Sequence, residues 1–170
     1  MSDRLTQLNQ LSADEAEQEF LKCCGSKRWA KILAVARPFA DASELFSKAD
    51  DLWWSLNETD WLEAFGAHPK IGEKKAATAQ SAQAAAWSAQ EQSGVANASA
   101  DTINQFAQRN REYDVKFGFV FIVCATGKSS EEMLAIINER MSNDPQTELR
   151  IAAEEQNRIT RLRLEKLLNQ

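Results

Sequence analysis

The chain has 170 residues, of which 44% are hydrophobic and 26% are charged, and these proportions are typical of a folded globular protein. Its net charge of −5 argues against a protein that binds nucleic acid by neutralising phosphates. No apolar run reaches the roughly 18 to 20 residues that a membrane-spanning helix needs, and the polar N-terminal stretch does not resemble a secretory signal. We therefore expect a cytoplasmic protein with no nucleic-acid or membrane partner.

Helical signals dominate the first part of the chain. Four segments are predicted to be helices, namely 12–25, 26–38, 41–56 and 59–66. The first of them begins with Ser12 and Glu15, whose spacing is that of a capping box, in which each side chain accepts a hydrogen bond from the other residue's backbone N–H. Gly66 ends the last of them, because glycine readily adopts the conformation that closes a helix.

The second part of the chain is also predicted to be mainly helical, over 76–86, 99–114, 129–141 and 145–168. Asp41 and Asp144 are the predicted N-terminal caps of the helices over 41–56 and 145–168. The run from 117 to 127 is aromatic and β-branched, as strands often are, but no second strand is predicted with which it would pair. We interpret it as a buried connection or as the buried start of a helix. Since no repeat or linker divides the chain, the sequence predicts one all-α domain over 1–170, a helical bundle.

The only histidine, His68, stands between a predicted helix end and Pro69. Histidine is a routine acid–base catalyst and metal ligand near neutral pH, and the following proline restrains its backbone to extended conformations. A lone histidine after a helix is equally compatible with a turn residue, and no cluster of further ligands around it indicates a metal site. Three nearby lysines form either a solvated face or an attractant for an anionic ligand; they are Lys70, Lys74 and Lys75.

Three other residues have both a structural and a functional interpretation. Ser88 and Glu91 have the spacing of a capping box, but a glutamate beside a histidine would also orient the imidazole. Arg163 shares one face of the last predicted helix with apolar residues, whereas Arg161 points to the opposite face. A guanidinium on an inward face needs an anion, which is either a carboxylate of the protein or an acceptor on a ligand.

The three cysteines, Cys23, Cys24 and Cys124, have the spacing of neither a disulfide framework nor a zinc site. Packed, reduced thiols are the simple interpretation. The alternative is a nucleophile pair of Cys124 and His68, for which the sequence indicates no third, orienting group.

Four blocks of sequence together indicate a family. They are "HPKIG" at 68–72, "WSAQEQSG" at 87–94, "KFGFVFIVCATGKSSEEML" at 116–134 and "ELRIAAEEQNRITRLRLEKL" at 148–167. In their order and spacing, and over nearly its whole length, the chain resembles the 2-oxo-4-hydroxy-4-carboxy-5-ureidoimidazoline (OHCU) decarboxylases, which complete the conversion of urate to allantoin. The resemblance implies an all-helical, generally dimeric enzyme that needs no metal or organic cofactor.

The resemblance also implies roles for residues within these blocks. His68 matches the family's catalytic histidine and Glu91 its catalytic glutamate, so we expect Glu91 to polarise His68 as the acid–base group. Arg163 matches an arginine that holds the substrate. The other residues expected to bind the substrate are Pro69, Ser88, Gln92, Phe121 and Ile122. Lys70 stands at a position that is often arginine in the family.

The expected function is that of a carboxy-lyase that converts OHCU, a small anionic ureidoimidazoline, to (S)-allantoin, with the protein acting as a homodimer in the cytoplasm. The conjugated ring of this substrate accepts the electron pair that departing CO2 leaves on carbon, which explains how a cofactor is dispensable. Two alternatives stay open at this point. One is a helical protein that binds a ureide or purine-related anion without catalysis, and the other is a hydrolase that depends on Cys124.

Overall fold

The computed structural model describes residues 3–73, 76 and 80–170. Its helices within these residues are α1 (Asp3–Gln10), α2 (Ala13–Cys23), α3 (Lys27–Val35), α4 (Ala42–Ser55), α5 (Glu58–Gly66), α6 (Ala82–Glu91), α7 (Ala100–Phe117), α8 (Ser130–Arg140) and α9 (Pro145–Leu168), with a short 3₁₀ helix at Ser93–Val95. The all-α class predicted from the sequence is confirmed. Among the residues described, no helix has the length and apolar composition of a membrane span.

Contacts between residues divide the chain into two compact units. The first comprises the chain up to Ala64 together with Asn157–Gln170, and the second comprises Phe65–Gln156. The boundaries fall inside α5 and α9, so each of these helices contributes residues to both units. The single domain over 1–170 stays a prediction.

Aromatic side chains form much of the core of the first unit, in which α2 packs against α3 and α3 against α4. Trp29 is fully buried, and its indole N–H donates to the carbonyl of Ala49 at 3.1 Å, so the ring's one polar group is paired. The ring of Phe20 meets those of Trp29 and Phe39 edge-on, at centroid distances of 6.2 and 6.4 Å. Edge-on contacts of this kind stabilise the packing beyond the effect of burial alone.

Helix starts predicted from capping residues are confirmed at three places. Before α2, Ser12 and Glu15 form the complete capping box, with each side chain accepting from the other's backbone N–H. Asp41 accepts a backbone N–H of the first turn of α4 at 2.9 Å. Asp144 does the same before α9 and accepts two backbone N–H groups at 3.1 and 3.0 Å. These short polar side chains pair donors that a helix start would otherwise leave unsatisfied.

The helix predicted over 76–86 is wrong at its start. Ala76 pairs with Pro69 in an isolated antiparallel bridge, and α6 begins only after Ser81, whose hydroxyl is the N-cap. Residues 77–79 lie outside the described part of the chain. Alanine's helix propensity is therefore realised only from the position where a capping side chain is available.

The aromatic run between α7 and α8 is the buried connection that its sequence suggested. Residues 121–125 are buried and have neither helical nor strand structure. Every second residue of this extended segment, namely Phe121, Val123 and Ala125, belongs to the core of the second unit. The same core includes Phe106 of α7 and Met133 of α8.

A buried carboxylate connects several segments of the second unit. Glu148 of α9 is fully buried and accepts hydrogen bonds from the Tyr113 hydroxyl, from Nε of Arg140 at 2.7 Å and from Nδ2 of Asn143 at 3.0 Å. Arg140 also donates to the carbonyl of Ile122 at 2.7 Å. Burial raises the pKa of the Tyr113 phenol above its usual range, so the hydroxyl keeps its proton and remains a donor.

Removal of the Arg140 guanidinium should destabilise the protein strongly. In Arg140→Met, the Glu148 charge would stay buried without its cationic partner, a change that typically costs about 3–5 kcal/mol. The matched control is Arg150→Met, because Arg150 lies on the same helix as Glu148 and forms an exposed pair with Glu154, for which the expected cost is below about 1 kcal/mol. Urea denaturation measures both free energies of unfolding, and similar values for the two variants would contradict the structural role of Arg140.

Candidate active site

The loop after α5 is held by contacts with α7. The Lys70 ammonium forms an ion pair with Asp114, and Nδ2 of the buried Asn110 donates to the carbonyl of Ile71 at 3.1 Å. Gly72 has a φ of +86°, which is the left-handed region that a side chain disfavours. Lys70 thus connects the loop to α7 through an ion pair. Lys74 and Lys75 lie outside the residues that the structure describes.

The imidazole of His68 contacts the last part of the second unit. Its Nε2 lies 2.7 Å from Oε1 of Gln156, which is 88 residues further along the chain and fully buried on α9. At the backbone, the N–H of His68 donates to the carbonyl of Phe65 at 3.1 Å. Pro69 is buried next to it, so both the main chain and the ring of His68 have fixed partners.

The capping-box interpretation of Ser88 and Glu91 is wrong. Both residues lie inside α6, whose N-cap is Ser81, seven positions before Ser88. They lie instead on the buried face of α6, where Ser88 is 4% and Glu91 8% exposed. A carboxylate that is removed from water to this extent requires hydrogen-bond donors or positive charge nearby. The burial of Glu91 therefore indicates a role other than helix capping.

Gln92 links the end of α6 to the histidine loop. It follows the last residue of α6, and its Oε1 accepts the backbone N–H of Gly72 at 3.2 Å. Gly94, two residues later, is a place of close backbone approach, since a Cβ there would lie 2.1 Å from the carbonyl oxygen of Lys128. The sequence "QSG" therefore connects α6 both to the loop and to the chain before α8.

Phe121 and Ile122 are held in the buried connection by Arg140. The guanidinium carbon of Arg140 lies 4.6 Å from the centroid of the Phe121 ring, and its Nη1 donates to the carbonyl of Ile122. Both residues are at most 3% exposed. The charge of Arg140 therefore fixes the backbone and the ring of this segment together.

The thiol of Cys124 has the surroundings of an unreactive cysteine. Burial raises its pKa, and the nearby carboxylates of Glu155 and Glu91 raise it further, although Lys128 opposes them. The backbone N–H of Cys124 donates to Oε2 of Glu155 at 3.1 Å. These surroundings disfavour the thiolate that a nucleophile pair with His68 would need.

Contacts within the second unit bring the four sequence blocks together. His68 contacts Gln156, whose neighbour Glu155 binds the backbone of Cys124, while the backbone at Gly94 lies close to the carbonyl of Lys128. The residue after Glu91 is Gln92, which returns to the histidine loop. We call this arrangement the contact ring. In the sequence, Gln156 stands out as a polar residue on the apolar face of α9. Its partner His68 lies too far away along the chain to be predicted from that pattern.

Arg163 belongs to the first unit, where it is 4% exposed and donates from Nη1 to the carbonyl of Lys22 at 3.3 Å. Arg161, by contrast, is exposed, pairs with Glu165 and lies over the ring of Phe46. The predicted burial of Arg163 and exposure of Arg161 are therefore confirmed. Cys24, near Arg163, is fully buried, and burial raises its pKa to about 11 even though the arginine lowers it.

Among the residues that the structure describes, no group of three or more histidine, cysteine, aspartate or glutamate side chains is placed to hold a metal ion. The polar side chains of the contact ring carry imidazole, amide and carboxylate groups. Such a set can orient a polar anionic molecule and move protons.

Comparison with known proteins identifies the family to which the chain belongs. A family model described as OHCU decarboxylase matches residues 9–165. The uric acid degradation bifunctional protein TTL of Arabidopsis thaliana is 39% identical over 160 residues, which cover 94% of this chain and 49% of that protein. The chain thus spans about half the length of TTL, and 32% of the bifunctional protein of Bacillus sp. (strain TB-90).

Shorter relatives and solved structures also match. The 2-oxo-4-hydroxy-4-carboxy-5-ureidoimidazoline decarboxylase of Amia calva is 28% identical, with 96% of this chain and 94% of that protein covered. A crystal structure of OHCU decarboxylase in the presence of (S)-allantoin is 41% identical, with a TM-score of 0.78 and with 90% of this chain and 99% of that chain covered. The chain belongs to the OHCU decarboxylase family.

Proposed function

We propose that this protein is a carboxy-lyase that converts OHCU to (S)-allantoin in the degradation of urate, without a cofactor. Membership of the family supports the reaction. The observation that carries the proposal is the contact ring, in which His68 and Glu91 belong to blocks that other residues link. A 41% identical relative was solved in the presence of (S)-allantoin, which is the product proposed here.

Loss of CO2 leaves an electron pair on carbon, and the substrate's conjugated ring can accept it. The protein then has to orient the carboxylate, stabilise charge as it moves into the ring and manage protons. We assign the acid–base role to His68, polarised by Glu91. A closed site that delivers the new proton to one face of the ring would give a single enantiomer.

Binding of the substrate is assigned to other residues of the four sequence blocks. The Arg163 guanidinium would hold an anionic or carbonyl oxygen in two places at once, which a lysine cannot do. Because Oε1 of Gln92 already accepts from Gly72, its NH2 group is the part that would donate to a substrate oxygen. The remaining residues assigned to the substrate are Pro69, Ser88, Phe121 and Ile122.

We further propose that the protein acts as a homodimer in the cytoplasm and that 1–170 forms one functional domain. These proposals rest on the family resemblance and on the acidic, polar composition of the chain.

Loss of either member of the acid–base pair should abolish most of the activity. In His68→Asn and Glu91→Gln, kcat is expected to fall by about 10²- to 10⁴-fold, which is the usual contribution of general acid–base catalysis. Circular dichroism of the allantoin formed from freshly generated OHCU measures this, because the spontaneous reaction gives a racemic product.

Turnover near the wild-type rate in either variant would contradict the assigned roles. A wild-type protein that binds OHCU but forms no single-handed allantoin would instead indicate the binding protein without catalysis.

Replacement of the Cys124 thiol should leave the activity almost unchanged. The structure places this thiol in surroundings that keep it protonated, so Cys124→Ala is expected to retain kcat within about threefold of wild type, provided that the small cavity is tolerated. The same circular dichroism assay measures it, with the unfolding midpoint as a control for folding. A decrease in kcat as large as that expected for His68→Asn would favour the alternative of a cysteine-dependent hydrolase.

Two arginines on α9 offer a matched test of substrate binding. Arg163→Lys is expected to lower kcat/KM by roughly 10- to 100-fold, because charged hydrogen bonds contribute about 1.5–3 kcal/mol. Arg161→Lys, the same change at an exposed position, should leave kcat/KM within about twofold. Steady-state kinetics measures kcat/KM for both variants. Equal decreases in the two would contradict the assignment of Arg163 to substrate binding.

A further inference from the structure

We infer that Gln156 is a positioning residue for His68: it fixes the proton of the neutral imidazole on Nε2 and leaves Nδ1 as the acid–base atom. The catalytic part of this inference rests on the proposed function. The part that concerns the position of the proton depends only on the structure and is measured separately.

One contact of the His68 ring indicates the tautomer. Nε2 of His68 lies 2.7 Å from Oε1 of Gln156, a normal hydrogen-bond distance. An amide oxygen only accepts hydrogen bonds, so Nε2 has to donate. In a neutral imidazole one nitrogen carries the proton and the other the lone pair, and the lone pair is therefore on Nδ1.

Burial makes this contact costly to give up. The side chain of Gln156 is fully buried on α9, where water does not replace a lost partner. Loss of a buried hydrogen bond is costly, so the ring orientation that keeps this contact is favoured. Because Gln156 belongs to a 24-residue helix, its amide is held by a rigid element rather than by a loop.

The amide is also suited to this task by its lack of charge. A carboxylate at the same place would accept the Nε2 proton, but it would also stabilise the imidazolium electrostatically. A neutral amide orients the ring without adding a second negative charge beside it, so that stabilisation of the imidazolium is left to the Glu91 carboxylate of the proposed pair. The imidazole can thus gain and lose a proton at Nδ1 while Nε2 keeps the same partner.

The single histidine of the chain makes the tautomer directly observable. In protein labelled with ¹⁵N-histidine, the two ring nitrogens give signals from His68 alone, and a protonated nitrogen differs clearly from one with a lone pair. At a pH where the imidazole is neutral, we expect the wild-type protein to carry the proton on Nε2. A wild-type spectrum with the proton on Nδ1 would overturn the inference without any variant.

The variant that tests the role of Gln156 is Gln156→Met, which keeps the length of the side chain but removes the acceptor. We expect the Nε2-protonated form to lose its predominance, and kcat to fall by about 10- to 100-fold, as is usual when a group that orients a functional side chain is lost, with KM nearly unchanged. Gln146→Met is the matched control, because Gln146 is an exposed residue of the same helix; it should alter neither the tautomer nor kcat.

Each outcome decides a part of the inference. If Gln156→Met leaves the tautomer unchanged, Gln156 does not fix it; if the tautomer changes but kcat does not, the catalytic part fails. The unfolding midpoint of Gln156→Met, measured by urea denaturation, distinguishes loss of the acceptor from a general packing defect. A wild-type protein that forms no single-handed allantoin would refute the proposed function while leaving the measured tautomer as it stands.

Discussion

The second unit depends on the buried carboxylate of Glu148. It accepts from Tyr113 of α7, from Arg140 at the end of α8 and from Asn143 in the following turn, so one side chain of α9 joins three other parts of the chain. A buried charge is tolerated only when its partners compensate for the lost hydration. The partners are thereby constrained as well, and the most important of them for the site is Arg140, which extends the network to the backbone of Ile122.

This network explains how an extended segment persists in an all-α protein. Buried backbone groups need hydrogen-bond partners, and a helix or a sheet normally supplies them. In residues 121–125, side chains do so: Arg140 donates to the carbonyl of Ile122, Lys128 donates to the carbonyl of Cys124, and Glu155 accepts the N–H of Cys124. The segment is thus fixed without any regular element, and one of its anchors is Glu155, the residue adjoining Gln156.

The features that sequence predicted well are local ones. The caps at Ser12 and Asp144 depend on residues within one turn, and so does the burial of Arg163 rather than Arg161 on one helix. The same local rule failed at Ser88 and Glu91, because a spacing of three residues occurs inside a helix as well as at its start. Helix α1 has too short a pattern to be predicted, since its eight residues bury only two leucines.

Contacts between residues that are far apart along the chain cannot be predicted from such local patterns. Nothing within a turn of His68 indicates Gln156, and nothing near Lys70 indicates Asp114. The family resemblance indicates which blocks to expect at the site, whereas the side chains that connect these blocks are visible only in the structure. Those ties are formed by ordinary polar residues, whose role depends on burial and on a partner that only the fold supplies.

The histidine loop illustrates what these ties accomplish. Loops are usually more mobile than the helices they connect, and a catalytic side chain on a mobile loop would lose the precision that acid–base chemistry requires. Here Ile71 is fixed to Asn110 of α7, Gly72 to Gln92 at the end of α6, and His68 itself to Gln156 of α9. Three helices therefore determine where the loop lies. The proton transfer proposed for His68 would thus take place on a loop that a helical scaffold holds in place, and the positive φ of Gly72 is the backbone feature that lets the loop turn between its anchors.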